Sequence, residues 1–177
     1  SVTLSFQYKG IIMEKLSVSL DFLEFPLAHT CEGDNISPGI TLEGLDSSSL
    51  AIMVFNPSKR EVLSYCAWLI WDMPATKMIP AGIPVGKKIT DPISAVQGTN
   101  DAGVNGYTGP CPQTGEIHRY LFRVYGLDDF LQIPGGSSKS ALLSAMHGHI
   151  LQYGETEAVA SKTPSSPAAT GTAPKRK

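Results

Sequence analysis

Apolar and polar positions alternate from the first residue. Val2, Leu4, Phe6 and Tyr8 interleave with Ser1, Thr3, Ser5 and Gln7, and Leu16, Val18, Leu20 and Phe22 form a second such run. A period of two predicts strands with one buried face, and Lys9-Gly10 between the runs predicts a turn. Leu50 to Phe55 and Leu63 to Trp71 are apolar without alternation, which predicts strands buried on both faces. Asp72-Met73-Pro74-Ala75 is expected to stop the second, since proline cannot donate to a ladder. From His118 to Leu127, Tyr120, Phe122 and Val124 alternate with Leu121, Arg123 and Tyr125, a further strand. One helix is expected: Ser137 or Ser138 as N-cap, a stripe of Ala141, Leu142, Ala145 and Met146, and Gly148 as terminator. Gly154 to Val159 predicts a last short strand. Between these elements, residues 76–117 are punctuated by proline and glycine and read as loop-heavy, the kind of segment that carries function. Many strands, short turns and one late helix predict an antiparallel two-sheet β-sandwich rather than βαβ units.

Composition narrows the picture. The chain has 177 residues, 42% hydrophobic and 17% charged, enough for one sizeable core. The longest uncharged apolar-looking run, Val62 to Trp71, is too short to span a bilayer, and no signal peptide opens the sequence, so a cytoplasmic domain is expected. From Ser161 onward there are four basic residues and no acid, leaving a net charge of −6 on the first 160 residues. An acidic body is a poor platform for nucleic acid. Residues 1–12 read as an N-terminal extension strand, 13–160 as the domain and 161–177 as a disordered basic tail. Cys31, Cys66 and Cys111 lack metal or redox spacing, and each is expected as a small buried hydrophobe, with a single disulfide as the alternative.

Several colinear motifs carry a resemblance. His29-Thr-Cys-Glu-Gly-Asp-Asn-Ile-Ser-Pro-Gly-Ile40, Asn100-Asp-Ala-Gly103 and Gly106-Tyr-Thr-Gly-Pro-Cys-Pro-Gln-Thr-Gly-Glu-Ile-His-Arg-Tyr120 resemble segments of the phosphatidylethanolamine-binding protein family, which includes the Raf kinase inhibitor proteins. Ser137 to Leu151 is similar to the late helix of its prokaryotic branch. The resemblance implies a Greek-key β-sandwich with a small surface pocket that accepts phosphate-like or phosphoethanolamine-like groups. It also implies members that inhibit kinases or serine proteases without being enzymes. The ligand-binding positions it implies here are Asn56, Pro57, Gly109, Pro110, Pro112, His118 and Tyr120.

The chain departs from the family where the pocket is charged. The Asp-Pro-Asp-Ala-Pro loop appears as Asn56-Pro57-Ser58-Lys59-Arg60, the strand histidine falls on Ala67, and an expected tryptophan is Leu42. Asn56 keeps the shape of an aspartate but not its charge. An imidazole beside a Gly-Pro loop can donate to an anion's oxygen, so His118 suits an anion. Gly109-Pro110-Cys111-Pro112 suits a rigid wall with few backbone donors. Arg119 is expected in a structural ion pair, with Asp101 as the candidate partner. His147 and His149 are too badly spaced on a helix for a shared metal, and His29, Cys31, Cys111 and His118 lack ligand spacing. A hydrolase lacks a nominated nucleophile, although Asp101 and His118 are conceivable triad members.

These readings lead to a non-enzymatic inhibitor or regulatory protein without a cofactor. Its expected partner is a serine protease or a kinase, and a homodimer is conceivable. The Pro/Gly-rich stretches at 73–92 and 127–136 offer Met78, Ile79, Phe130 and Leu131 as apolar anchors. The alternative is a binder of small anions or phospholipid head groups beside His118.

Overall fold

The computed structural model describes residues 7–8, 11–57 and 65–162. In chain order its strands are β1 (Gln7–Tyr8), β2 (Ile11–Ile12), β3 (Glu14–Lys15), β4 (Ser17–Ser19), β5 (Ile40–Glu43), β6 (Ser49–Asn56), β7 (Tyr65–Pro74), β8 (Met78–Ile79), β9 (Lys88–Ile89), β10 (Ala95–Gln97), β11 (Ile117–Leu127) and β12 (Ile150–Ser161). A 3-10 turn (Leu27–His29) precedes β5, and helix α1 (Lys139–Met146) separates β11 from β12. The Lys9-Gly10 turn, the alternation over residues 1–6, the loop positions Ser58 to Arg60, the strand start at Leu63 and the tail beyond Lys162 lie outside the described residues.

The unbroken apolar runs form the centre of the larger sheet, whose order is β3-β12-β11-β6-β7-β10-β9. β6 is buried at every position, because it has a strand on each side and a packed layer on each face. One face meets the smaller sheet, β4-β5-β8, through Leu16, Ile40, Leu42, Ile52, Val54, Trp68, Ile70, Phe122 and Val124. The other face meets α1, where Leu142 and Met146 pack with Ala51, Met53, Leu69 and Trp71. The result is a mostly β two-sheet sandwich with one short helix, antiparallel except where β12 pairs with β3 and where Val159 bridges Glu24. β1 and β2 form a separate two-stranded ladder.

Ser138 caps the helix by accepting a bond from Ala141 N at 3.2 Å. Gly148, at φ 83°, supplies the left-handed turn after it. β7 stops at Pro74, inside the segment expected to end it; Asp72 kinks it at φ 54°, and its carboxylate accepts the amides of Leu131 and Gln132 at 2.7 and 3.2 Å. Two expectations are corrected. The last strand is twelve residues long, from Ile150 to Ser161, because β11 pairs along its whole length. Residues 76–117 hold three strands of two or three residues, too short to show a period.

The loop before β9 is tied to β7 and β10 by a buried amide. Gln97 Oε1 accepts from Trp68 Nε1 at 2.8 Å, and Gln97 Nε2 donates to the carbonyls of Pro84 and Gly86 at 2.9 Å each. Gln97 is fully buried. One side chain thus satisfies polar groups of β7 and of the loop before β9, which would otherwise be orphaned without water.

Candidate functional site

β11 positions the site by its period of two. Tyr120, Phe122 and Val124 fill the core between the sheets, and the same alternation puts His118 at the end of that row, where the core runs out. The His118 side chain is 13% exposed. Asn56, the last residue of β6, is fully buried one step beyond the terminal β6–β11 rung, Phe55 with Leu121. Its Nδ2 stands 3.5 Å from His118 Nδ1, a long contact in which the imidazole nitrogen accepts. The ring proton then belongs on Nε2, which faces Glu116 Oε1 at 3.4 Å. Tyr120 shares a side-chain hydrogen bond with Asn56, while burial pushes its phenol up to about 12. Tyr65, opposite Asn56 on β7, raises it further.

The structure therefore brings Asn56, His118 and Tyr120 together. Pro57 follows Asn56 as an exposed turn residue. Gly109, Pro110 and Pro112 belong to a neighbouring corner, tied mainly to the loop after the 3-10 turn. Gly109 N donates to Asn35 Oδ1 at 2.8 Å, Cys31 N to Pro110 O at 3.1 Å, and Tyr107 Oη to His29 O at 2.6 Å. A Cβ on Gly109 would collide with the His29 carbonyl, so this crossing requires glycine. The two corners are linked through Glu116, whose carboxylate also accepts Gln113 N at 2.7 Å, and through Tyr107, whose phenol is raised by burial and by Tyr120.

Asn100 orders the loop that leads into this corner. Its amide donates to Ala67 O and Gly106 O at 2.8 and 3.0 Å and to the Thr108 hydroxyl. Its Oδ1 accepts the amides of Ala102 and Val104 at 3.0 and 2.9 Å.

Other expectations are corrected. Arg119 pairs with Glu157, Nε and Nη2 lying 2.9 and 2.7 Å from its two oxygens. Being one residue out of phase with His118 and Tyr120, Arg119 points to the opposite face. Glu157 is accordingly held below the usual carboxylate range by the guanidinium. Asp101 instead accepts Cys66 N at 2.7 Å and Lys139 Nζ at 2.8 Å, which engages it away from His118 and removes the triad reading. Cys31 and Cys111 are exposed and joined as a disulfide, not buried hydrophobes. That bond consumes both thiolates the conceivable metal site would have used. Cys66 is buried and free as expected, its thiol pushed up to about 12 by burial. His149 pairs with Asp128 at 2.9 Å. Glu116, Tyr107, Tyr65 and Asn35 were not singled out from the sequence. Tyr107, Asn35 and Glu116 lie inside the quoted motifs, but Tyr65 carries no local signal. A cleft of about 460 Å³ lies elsewhere, between Met13–Val18 and Tyr153–Glu155, and contains none of these groups. Among the described residues no His, Cys, Asp and Glu cluster could hold a metal ion, and no helix is long and apolar enough to cross a membrane.

A sandwich whose inter-sheet core ends in an amide, an imidazole and a phenol is the class of protein that the fold and this corner define. The family profile described as phosphatidylethanolamine-binding protein matches residues 19–161. The chain belongs to the phosphatidylethanolamine-binding protein family. It is 41% identical over 150 residues to a UPF0098 protein of Pyrococcus horikoshii, covering 80% of this chain and 75% of the relative. Two crystal structures share the fold. E. coli YbcL, a member of the same family, superposes with TM-score 0.72 and 25% identity, covering 83% of this chain and 98% of its own. A phosphatidylethanolamine-binding protein homologue from Chlamydia trachomatis superposes with TM-score 0.70 and 28% identity, covering 82% and 96%.

Proposed function

We propose that this chain is a non-enzymatic binding protein whose Asn56–His118–Tyr120 corner takes a small anion, phosphate or a phosphorylated head group. The observation that carries this reading is the convergence of Asn56 and His118 at 3.5 Å across 62 residues of sequence, with Tyr120 bonded to the same amide. An amide where relatives of the resemblance carry aspartate leaves that position uncharged, so an anion meets less repulsion. The anion would replace Glu116 as the acceptor facing His118 Nε2. Isothermal titration of the wild type and His118→Ala with phosphate and with phosphoethanolamine tests it. Saturable binding lost in the variant is expected; no heat from the wild type at millimolar ligand overturns it.

Inhibition of a protein partner, a serine protease or a kinase, is the second reading. It is supported by Met78 and Phe130, which are 56% and 43% exposed in the two Pro/Gly-rich stretches. Ile79 is excluded as an anchor because it is fully buried core, and Leu131 packs against the α1 side. A panel of chymotrypsin-like, elastase-like and kinase activities checks this reading, and no inhibition at micromolar protein would remove it.

A further inference from the structure

We infer that the Cys31–Cys111 disulfide is a reducible clamp on the corner formed by the 29–35 loop and Gly109–Pro112. The two cysteines are 80 residues apart in sequence, with Cα atoms 5.3 Å apart. Cys31 follows the 3-10 turn, and Cys111 stands between Pro110 and Pro112. Both are exposed, whereas Cys66 is completely buried. A soluble dithiol therefore reaches this bond and leaves Cys66 untouched. Its thiolate attacks one sulfur, forming a mixed disulfide and releasing one cysteine thiolate. Its second thiol then displaces the other cysteine, so two electrons and two protons pass to Cys31 and Cys111 while the dithiol closes to a cyclic disulfide.

The placement of the bond makes its loss local. Cys31 lies between the 3-10 turn and β5, and Cys111 between β10 and β11, so neither segment belongs to a sheet. Apart from the disulfide, the described ties between them are the Tyr107–His29, Cys31–Pro110 and Gly109–Asn35 hydrogen bonds. Hydrogen bonds between irregular surface segments open before those of central strands. The chain between the cysteines includes β5 to β10, whose strand pairing does not pass through this corner; the core reaches it only at Tyr107, whose ring packs edge-on against Trp68. Pro110 and Pro112, which flank Cys111, offer no amide donors to take over the tie. The consequence for ligand affinity rests on the anion-binding reading above; the clamp itself rests on the geometry alone.

Amide hydrogen exchange on the oxidised protein, on the protein treated with dithiothreitol and on the Cys31→Ser/Cys111→Ser double variant tests the inference. The backbone amides at position 31 and at Gly109 are expected to exchange roughly ten-fold faster or more without the bond, while β6, β7 and β11 keep their protection. Phosphate affinity, measured by titration in both redox states, is expected to fall several-fold on reduction. Unchanged exchange at the corner overturns the clamp, as does an equal loss of protection in the central strands. Equal phosphate affinity in the two states overturns its coupling to the site. If the oxidised protein binds no phosphate, the ligand reading fails instead, and the exchange comparison alone decides the clamp.

Discussion

Asn56 Nδ2 and His118 Nδ1 meet at 3.5 Å, joining the last residue of β6 to the second residue of β11. Neither side chain lies on a flexible loop. Both extend rows of the sheet, so their separation is set by strand pairing, with the Phe55–Leu121 rung immediately inside.

This contact makes Asn56→Asp informative. A carboxylate at this fully buried position lacks solvation and is expected to lower stability by about 1–3 kcal/mol, read from urea midpoints. Phosphate affinity is expected to fall about ten-fold by charge repulsion while phosphoethanolamine loses less, its ammonium gaining a counter-charge. Unchanged phosphate binding in calorimetric titrations would show that the ligand does not approach Asn56.

Gln97→Ala is expected to destabilise the sandwich by about 2–4 kcal/mol. It leaves the buried Trp68 indole N–H and the carbonyls of Pro84 and Gly86 without this partner. Chemical denaturation followed by tryptophan fluorescence checks it, and a loss below about 0.5 kcal/mol would mean that the loop before β9 finds other partners.

The Arg119–Glu157 pair is expected to matter little, despite its two-pronged geometry. Both ends are solvent-exposed, where water and salt screen the attraction. Arg119 depresses Glu157, so what the pair contributes is present at neutral pH and is lost as pH falls through the folded-state value. Arg119→Ala should leave both the unfolding midpoint at pH 7 and phosphate binding where they are. A loss of binding would place Arg119 at the ligand after all.

Alkaline pH should weaken the fold. Burial raises Tyr120 from 10.0 and Cys66 from 9.0, both to about 12. The folded state therefore holds these protons after the unfolded chain has released them. Their contribution is complete below about pH 9 and is lost as pH rises toward 12, about 3 kcal/mol for Tyr120 and about 4 kcal/mol for Cys66. Urea midpoints measured from pH 8 upward should fall, and Cys66→Ala should remove the part of the decline that begins near pH 9. A flat profile to pH 11 would contradict both shifts.

How much of this was legible in the sequence follows from the range of each interaction. The row Tyr120, Phe122, Val124 was visible because alternation is written in neighbouring residues, and β6 and β7 were visible because burial on both faces demands unbroken apolar runs. The Ser138 cap and Gly148 stop are equally local. Arg119's partner was not legible, because Glu157 is reached only once the β11–β12 register is known. β8 to β10 were missed because two or three residues define no period; β8 exists only by its pairing with β5, and β9 and β10 adjoin the Gln97 amide. The joining of Cys31 to Cys111 depends on two loops meeting, and spacing along the chain left that choice open. At the site, colinear motifs pointed to His118 and Tyr120 and contain Glu116 without marking its role, while Tyr65 enters only through three-dimensional adjacency.

The phase of β11 has one last consequence. Because odd and even positions serve opposite sides, a one-residue slip against β6 would deliver Arg119 where His118 now stands and bury a guanidinium in place of an aromatic ring. The recognition chemistry proposed for this corner is thereby locked to the folding code: whatever misaligns the strand also unfolds the protein. On that proposal, tuning of ligand preference is left to the rim, outside the paired rows of the sheet.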